Sequence, residues 1–459
     1  MNYSPLIIFV SSILICLGFY FSFDATTYEV VSIFLFSYFI LTFLDSIGKD
    51  YNINQITILF AIFQLLIMPI IVYRVYNDDK LVAALFYNMQ TPEEQYFGYI
   101  LPAIILMIFG IQIPLFRYGS KSLQIKKSIS NCRIFLKGKS NIGIIMMVIG
   151  LSTGILEPFM PTALKYVVYL FSKLLFVGIF YVLFSEIKNK NLYIALGVLA
   201  LLFQTILQGM FGELVYTLIL GLLLILLGKR IAFRYKIILA VIGFFFVLLL
   251  QTIKGEYRAY AWKGESRNGR TNTEIFFSLI YDRISNPLGF IDKENMFPVV
   301  TRFNQGLIQD KVMNYVPAIR PYAGGSTIIN SLFGSFVPRF LWPEKPNAGG
   351  KWNMEYFTGL IIEGYSMNIG PFGEAYGNFG TNGGIIFMFF YGLFFNIVLY
   401  IIIQIAKNRP TIILWFPVLF LNSIQIETDI LMTVNALVKN CIFAALCFWA
   451  ADRFMRIQL

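Results

Sequence analysis

Histidine is missing from all 459 residues, and that absence removes more chemistry than any other feature of the composition. Nucleophiles worked by a histidine base, haem held by an axial histidine, histidine-ligated zinc and the membrane acyltransferases that depend on a histidine are all excluded. Cysteine is scarce. Cys16, Cys132, Cys441 and Cys447 form no CxxC pair, and three of them sit in apolar runs, so they read as small hydrophobes. Charge is scarce too, at 13% of residues against 58% hydrophobic, with mean hydropathy +0.70, which is outside the range of a soluble domain. There is no long internal repeat, no low-complexity tract and no concentrated acidic site suited to a metal, so neither metal nor cofactor is expected. No basic segment precedes the first apolar run and no small-residue cleavage site follows it, so that run reads as a retained helix and not a signal.

What is there is apolar sequence in lengths that cross a bilayer, about 20 residues for a hydrocarbon core of about 30 Å. Twelve spans are predicted, at 4–23, 28–44, 53–73, 97–116, 142–156, 163–184, 192–207, 210–228, 236–253, 380–406, 411–426 and 433–451. The seventh and eighth divide an almost unbroken stretch at LQGMFGE, where polar residues and glycine cluster. The expected fold is an all-α polytopic membrane protein. Nine helices fill residues 1–253, a large extracytoplasmic loop fills 254–379, and three helices fill 380–459.

Lys and Arg in short loops set orientation. The 117–139 loop carries seven basic residues and no acid, and KRIAFRYK (229–236) carries four basic residues, so both are expected to be cytoplasmic. Alternating from them puts both termini inside, with Lys188, Lys190, Lys407, Arg409, Arg453 and Arg456. It puts Asp24, Asp78, Asp79, Glu157, Glu427 and Asp429 outside. Arg74 and Lys165 are exceptions. The net charge of +11 is then a topological bias facing anionic lipid and not a nucleic-acid footprint.

The 254–379 loop breaks the membrane pattern, with thirteen basic and eleven acidic residues. It is too long for a passive connector and too rich in aromatics and aliphatics for disorder. EIFFSLIYDRI (274–284), PVVTRFNQGLI (298–308) and STIINSLFGSFV (326–337) have apolar residues at helical spacing, so each is expected as an amphipathic helix at the outer interface.

Two constellations in this region carry chemistry. In SFVPRFLWPEKP, Pro338, Pro343 and Pro346 make a stiff, extended turn that holds Arg339, Glu344 and Lys345 beside Trp342. One reading is an interfacial anchor whose cations touch lipid phosphates. The other is a substrate site, because Lys254 and Arg258 lie one helical turn apart in QTIKGEYRAYAWKG, and Arg302 and Arg320 follow in the same loop. Arg forks match phosphate oxygens, and a pyrophosphate leaving group gains charge as its bond breaks. In GPFGEAYGNFGTNGG (370–384), Gly373, Gly377, Gly380 and Gly384 draw a stripe suited to close helix packing. Glu374 there reads either as a general base raised in basicity by shielding or as the structural partner of a loop Arg.

IKGEYR after a central span, a long outer loop, VPRFLWPEKP and then GEAYGNFG at the next span together resemble the Wzy-type O-antigen polymerases. The resemblance covers roughly residues 250–390. It implies transfer of a growing glycan from polyprenyl pyrophosphate to the terminal sugar of a new polyprenyl-pyrophosphate-linked repeat unit, outside the bacterial cytoplasmic membrane. The product is a surface polysaccharide: O-antigen, capsule or exopolysaccharide. By the same resemblance Arg258, Arg339 and Lys345 are phosphate binders, Glu374 is the acid or base with Glu344 in reserve, and Tyr376 of the GEAYGNFG motif joins the substrate-contacting residues. Lipid-linked donor and acceptor, membrane lipid, a chain-length regulator and a flippase are the implied partners. The chain departs from the pattern at LQGMFGEL, where many members carry an Arg and this sequence has Phe211 and Glu213.

Two alternatives stay open. An O-antigen ligase shares the topology, but its proposed base is a histidine. A lipid-linked oligosaccharide flippase would place charge at the midplane in two related halves. Here the charges within spans are chiefly Lys173, Glu213 and Lys439, expected to pair or to snorkel, and the polar mass lies on one loop.

Overall fold

A backbone in hydrocarbon must satisfy its N–H and C=O groups within its own segment, which leaves helices as the form open to these apolar runs. The computed structural model describes residues 5–77, 87–115, 120–209, 211–263, 269–285, 293–337, 341–344, 350–361, 367–455 and 459. Every regular element among them is helical. Among the described residues, ten helices are long and apolar enough to cross a membrane: Pro5–Phe23, Thr27–Ser46, Ile53–Tyr76, Glu93–Gln112, Asn141–Phe159, Leu164–Phe184, Lys190–Leu207, Phe233–Ala261, Gly370–Ile405 and Ile430–Phe454. Two shorter apolar helices, Phe211–Leu226 and Pro410–Leu419, stand where the eighth and eleventh spans were predicted.

The second of these differs from its prediction for a physical reason. Residues 410–415 form a 3₁₀ turn, Phe416–Leu419 adds a single α-turn, and the chain then runs through turns to residue 428. Pro410 and Pro417 interrupt the helical ladder. Trp415 and Phe416 are fully enclosed, with Tyr181 and Tyr51 among their neighbours. Hydropathy alone reads such a stretch as a lipid-facing helix, whereas irregular backbone at membrane depth is tolerated where protein buries it.

Helices Glu93–Gln112 and Gly370–Ile405 make the most extensive packing in the molecule. Gly110 and Gly392 permit it: a Cβ on either would run into the facing backbone, at Phe389 O and Met107 O. Tyr99 Oη donates to Phe372 O at 2.6 Å and Asn396 Nδ2 to Ile113 O at 2.8 Å, tying the pair at both ends. The N-terminal helix Pro5–Phe23 buries only Ile8, Ser12 and Cys16, so most of its apolar surface faces outward. Thr26 and Glu29 close a capping box at the next helix, and Arg74 pairs with Glu29 there.

The region predicted as the outer loop is largely helical. Asn272–Ser285 and Ser326–Phe336 match two expected amphipathic helices, and the first packs Ile275, Phe276 and Leu279 against Phe211 and Tyr257. The third expected helix is divided into Lys293–Phe303 and Gly306–Tyr315. Asn304 causes the break: its Oδ1 accepts from Leu307 N at 3.2 Å, capping the second helix instead of continuing the first. Helix Gly370–Ile405 starts ten residues before the predicted span and kinks at Gly380, whose φ of 67° favours glycine. The glycine stripe meets Gln309 and Val312 at Gly373, Phe357 at Gly377, Tyr322 at Gly380 and Tyr99 at Gly384.

Candidate functional site

The end of helix Phe233–Ala261 carries Lys254 and Arg258 on one face, four residues apart. Helix Lys293–Phe303 ends beside them and supplies Arg302, held near both cations. These three of the ten residues singled out from sequence converge on one cavity of about 590 Å³. The start of Phe211–Leu226 adds Glu213 and Tyr216, and the turn between Pro410–Leu419 and Ile430–Phe454 adds Asn422, Gln425 and Glu427.

Both carboxylates on this wall are already engaged. Arg302 Nη2 lies 3.0 Å from Oε1 and 3.0 Å from Oε2 of Glu427. That carboxylate raises the Arg302 guanidinium above its ordinary pKa, so it remains a cation at any working pH. Tyr216 lies against the same carboxylate. Glu213 is ion-paired with Lys173 and accepts from Tyr169 Oη at 3.2 Å on each oxygen. The Lys173–Glu213 pair also lines a smaller chamber of about 80 Å³, and Tyr169, Glu213 and Leu421 are common to both spaces. The expected pairing of the charges within spans is therefore found for Lys173 and Glu213, while Lys439 lies over the Tyr166 ring at 4.3 Å. Arg258 is oriented by its Nε, which donates to Gly209 O at 3.2 Å. The cavity lining thus carries Lys254, Arg258 and Arg302 against Glu213 and Glu427, an excess of positive charge suited to an anionic ligand.

The other expected residues lie elsewhere. Glu374 has no exposed surface and does not line the cavity. Its Oε1 accepts from Thr327 Oγ1 at 3.2 Å and its Oε2 from Ile430 N at 3.0 Å. Asn378 Nδ2 donates in turn to Thr327 Oγ1 at 2.7 Å, so the acid ties three elements together. Asp429 lies beside it, capping Met432 N at 2.7 Å and accepting from Asn353 Nδ2 at 3.2 Å; burial raises this carboxyl above its usual range. Arg320 donates to Tyr356 O at 3.1 Å and stacks 4.0 Å over that ring, away from the cavity. Tyr376 is buried against Tyr99 and Tyr322. Trp342 is half-buried and Glu344 exposed, and neither lines the cavity. Arg339 and Lys345 lie outside the described residues.

Sequence reasoning missed Glu427 as a site residue. The signal was present in NSIQIET (422–428), whose polar residues alternate with isoleucine, but the span predicted over 411–426 absorbed the first five and Glu427 was read only as an acid of the outer turn.

The family model described as Domain of unknown function (DUF8712) matches residues 122–404, more than half of the chain, and the chain belongs to that family. No curated protein and no solved structure matches it. The matched region contains Lys173, Glu213, Lys254, Arg258 and Arg302, whereas Glu427 lies past its end.

Proposed function

We propose that this DUF8712 member is a membrane-embedded glycosyltransferase of the Wzy type. It would polymerise polyprenyl-pyrophosphate-linked repeat units into a surface polysaccharide on the outer face of a bacterial cytoplasmic membrane. The observation that carries the reading is the convergence of Lys254, Arg258 and Arg302 on one cavity, since three cations gathered from two helices answer a pyrophosphate better than they answer any neutral ligand. In the arrangement we propose, the ten long and two short apolar helices give twelve membrane-embedded elements. Both termini are cytoplasmic, and the cavity opens toward the outer leaflet. A chain-length regulator and a flippase act with it.

The reaction is an inverting displacement. The terminal hydroxyl of the acceptor repeat unit attacks the anomeric carbon of the donor glycan, and the donor's bond to polyprenyl pyrophosphate breaks. Arg302, Arg258 and Lys254 neutralise the charge that collects on the leaving group, the point where preorganised cations lower a barrier most. Arg339 and Lys345 belong to the proposal as further phosphate contacts. Glu374 acts by holding the 427–432 wall through Ile430.

The test is a glycan ladder on a gel from cells lacking the gene, with and without complementation. Single repeat units on their acceptor in the deletion strain support polymerisation. Accumulation of lipid-linked units with nothing transferred would assign the chain to ligation or flipping.

A further inference from the structure

A sugar hydroxyl must lose its proton as it attacks, and Glu374, the acid expected from sequence for that task, does not line the cavity. Among the described residues two carboxylates do: Glu213 and Glu427. Glu213 is held by the Tyr169 hydroxyl on both oxygens and by Lys173, a cation that lines the smaller chamber and not this cavity. Glu427 differs, because its cation is Arg302, and Arg302 is itself one of the groups that would meet the pyrophosphate.

We infer that Glu427 is the proton acceptor of the transferase and that the Arg302–Glu427 pair couples its release to donor binding. The inference rests on the polymerase reading above. In the resting site the Glu427 carboxylate is occupied by the guanidinium at 3.0 Å. A guanidinium carries five N–H donors in one plane, and the pair engages it through Nη2. Pyrophosphate oxygens arriving beside Lys254 and Arg258 draw Arg302 toward them, because two phosphates outweigh one carboxylate as a partner. The Glu427 carboxylate is freed as that hold weakens. The acceptor hydroxyl then passes its proton to a Glu427 carboxylate oxygen, and the hydroxyl oxygen forms the new bond to the anomeric carbon. The carbon–oxygen bond to the donor phosphate breaks, and its electron pair leaves with polyprenyl pyrophosphate. Glu427 returns the proton to water once product departs. An empty site thus holds no free base, and donor binding is what supplies one.

The experiment pairs a binding assay with the glycan ladder. Purified full-length protein in lipid nanodiscs is titrated with geranylgeranyl pyrophosphate, with geranylgeraniol as the uncharged control. Wild type is compared with Glu427→Gln, Glu427→Asp and Arg302→Ala. Glu427→Gln is expected to bind the pyrophosphate probe at least as tightly as wild type, since Arg302 is released. It is also expected to lower long glycan by about 100-fold or more, the usual scale of a lost general base. Glu427→Asp is expected to restore part of the ladder with an altered pH profile, and Arg302→Ala to lose both probe binding and polymer. Wild-type ladders from Glu427→Gln would overturn the inference and leave the polymerase reading standing. Loss of probe binding in Glu427→Gln would reduce Glu427 to a residue that positions Arg302. Wild type that fails to discriminate pyrophosphate from alcohol would remove the polymerase reading and this inference together.

Discussion

Glu374 and Ile430 are joined by a 3.0 Å hydrogen bond in which the buried carboxylate accepts the first backbone N–H of helix Ile430–Phe454. The other oxygen accepts from Thr327, so one side chain fixes helices Gly370–Ile405, Ser326–Phe336 and Ile430–Phe454 in register. Thr428 and Met432 flank that bond and both line the 590 Å³ cavity, so the same contact sets one wall of the site. Replacing Glu374 by Ala strands two buried donors at about 1–3 kcal/mol each and adds a void. The expected outcome is a lower thermal midpoint in detergent, with polymer falling in step with the folded fraction. Normal stability with polymer abolished would return Glu374 to a chemical role.

Lys173 and Glu213 form a half-buried ion pair on the wall of the smaller chamber, with Glu213 facing the larger cavity as well. Breaking a partly desolvated pair from one side leaves an uncompensated charge, whereas replacing both partners by apolar residues is often neutral. Lys173→Met and Glu213→Leu alone are expected to lower the thermal midpoint sharply, and the double substitution to recover most of it. A double-mutant cycle on unfolding checks this.

The presence of the ten long helices was legible from hydropathy, and their ends and packing were not. The amphipathic segments 274–284 and 326–337 were readable because helical spacing is a local signal. The division at Asn304 turns on a cap bond to Leu307 that spacing alone does not reveal. Lys254 and Arg258 were readable as a pair from their separation of one turn, and Arg302 as a further cation of the same region. Their meeting in one cavity depends on how helix Lys293–Phe303 docks, which is tertiary. Arg320 and Tyr376 illustrate the converse. They look available in sequence, but ring contacts with Tyr356 and with Tyr99 and Tyr322 occupy them.

Asp429 predicts a pH dependence of stability. Burial raises its carboxyl from the ordinary value of 3.8, so the folded state holds the proton more tightly than the unfolded chain. Its contribution is full below that ordinary value and is lost as pH rises through the raised one. Asp429→Asn keeps a side-chain oxygen to cap Met432 and removes the titration. Thermal midpoints followed from pH 4 upward are expected to decline less for Asp429→Asn than for wild type. Parallel curves would contradict this.

The three cavity cations predict a graded, salt-sensitive loss. Lys254→Ala and Arg258→Ala are each expected to weaken geranylgeranyl pyrophosphate binding by about tenfold, on the scale of 1.5–3 kcal/mol for a hydrogen bond to a charged group. Arg258→Lys is expected to recover only part of it, because the fork geometry is lost. Arg320→Ala, whose guanidinium sits on Tyr356, is expected to leave probe affinity unchanged. Titrations at two salt concentrations check the set.

The most direct test of the central claim is the glycan ladder from a deletion strain complemented with wild type or with the Lys254→Ala, Arg258→Ala double variant. The predicted result is a full ladder with wild type and single repeat units with the double variant, at equal amounts of protein in the membrane. A full ladder from the double variant, or from the deletion strain itself, would contradict the assignment of this cavity to pyrophosphate-linked glycan polymerisation.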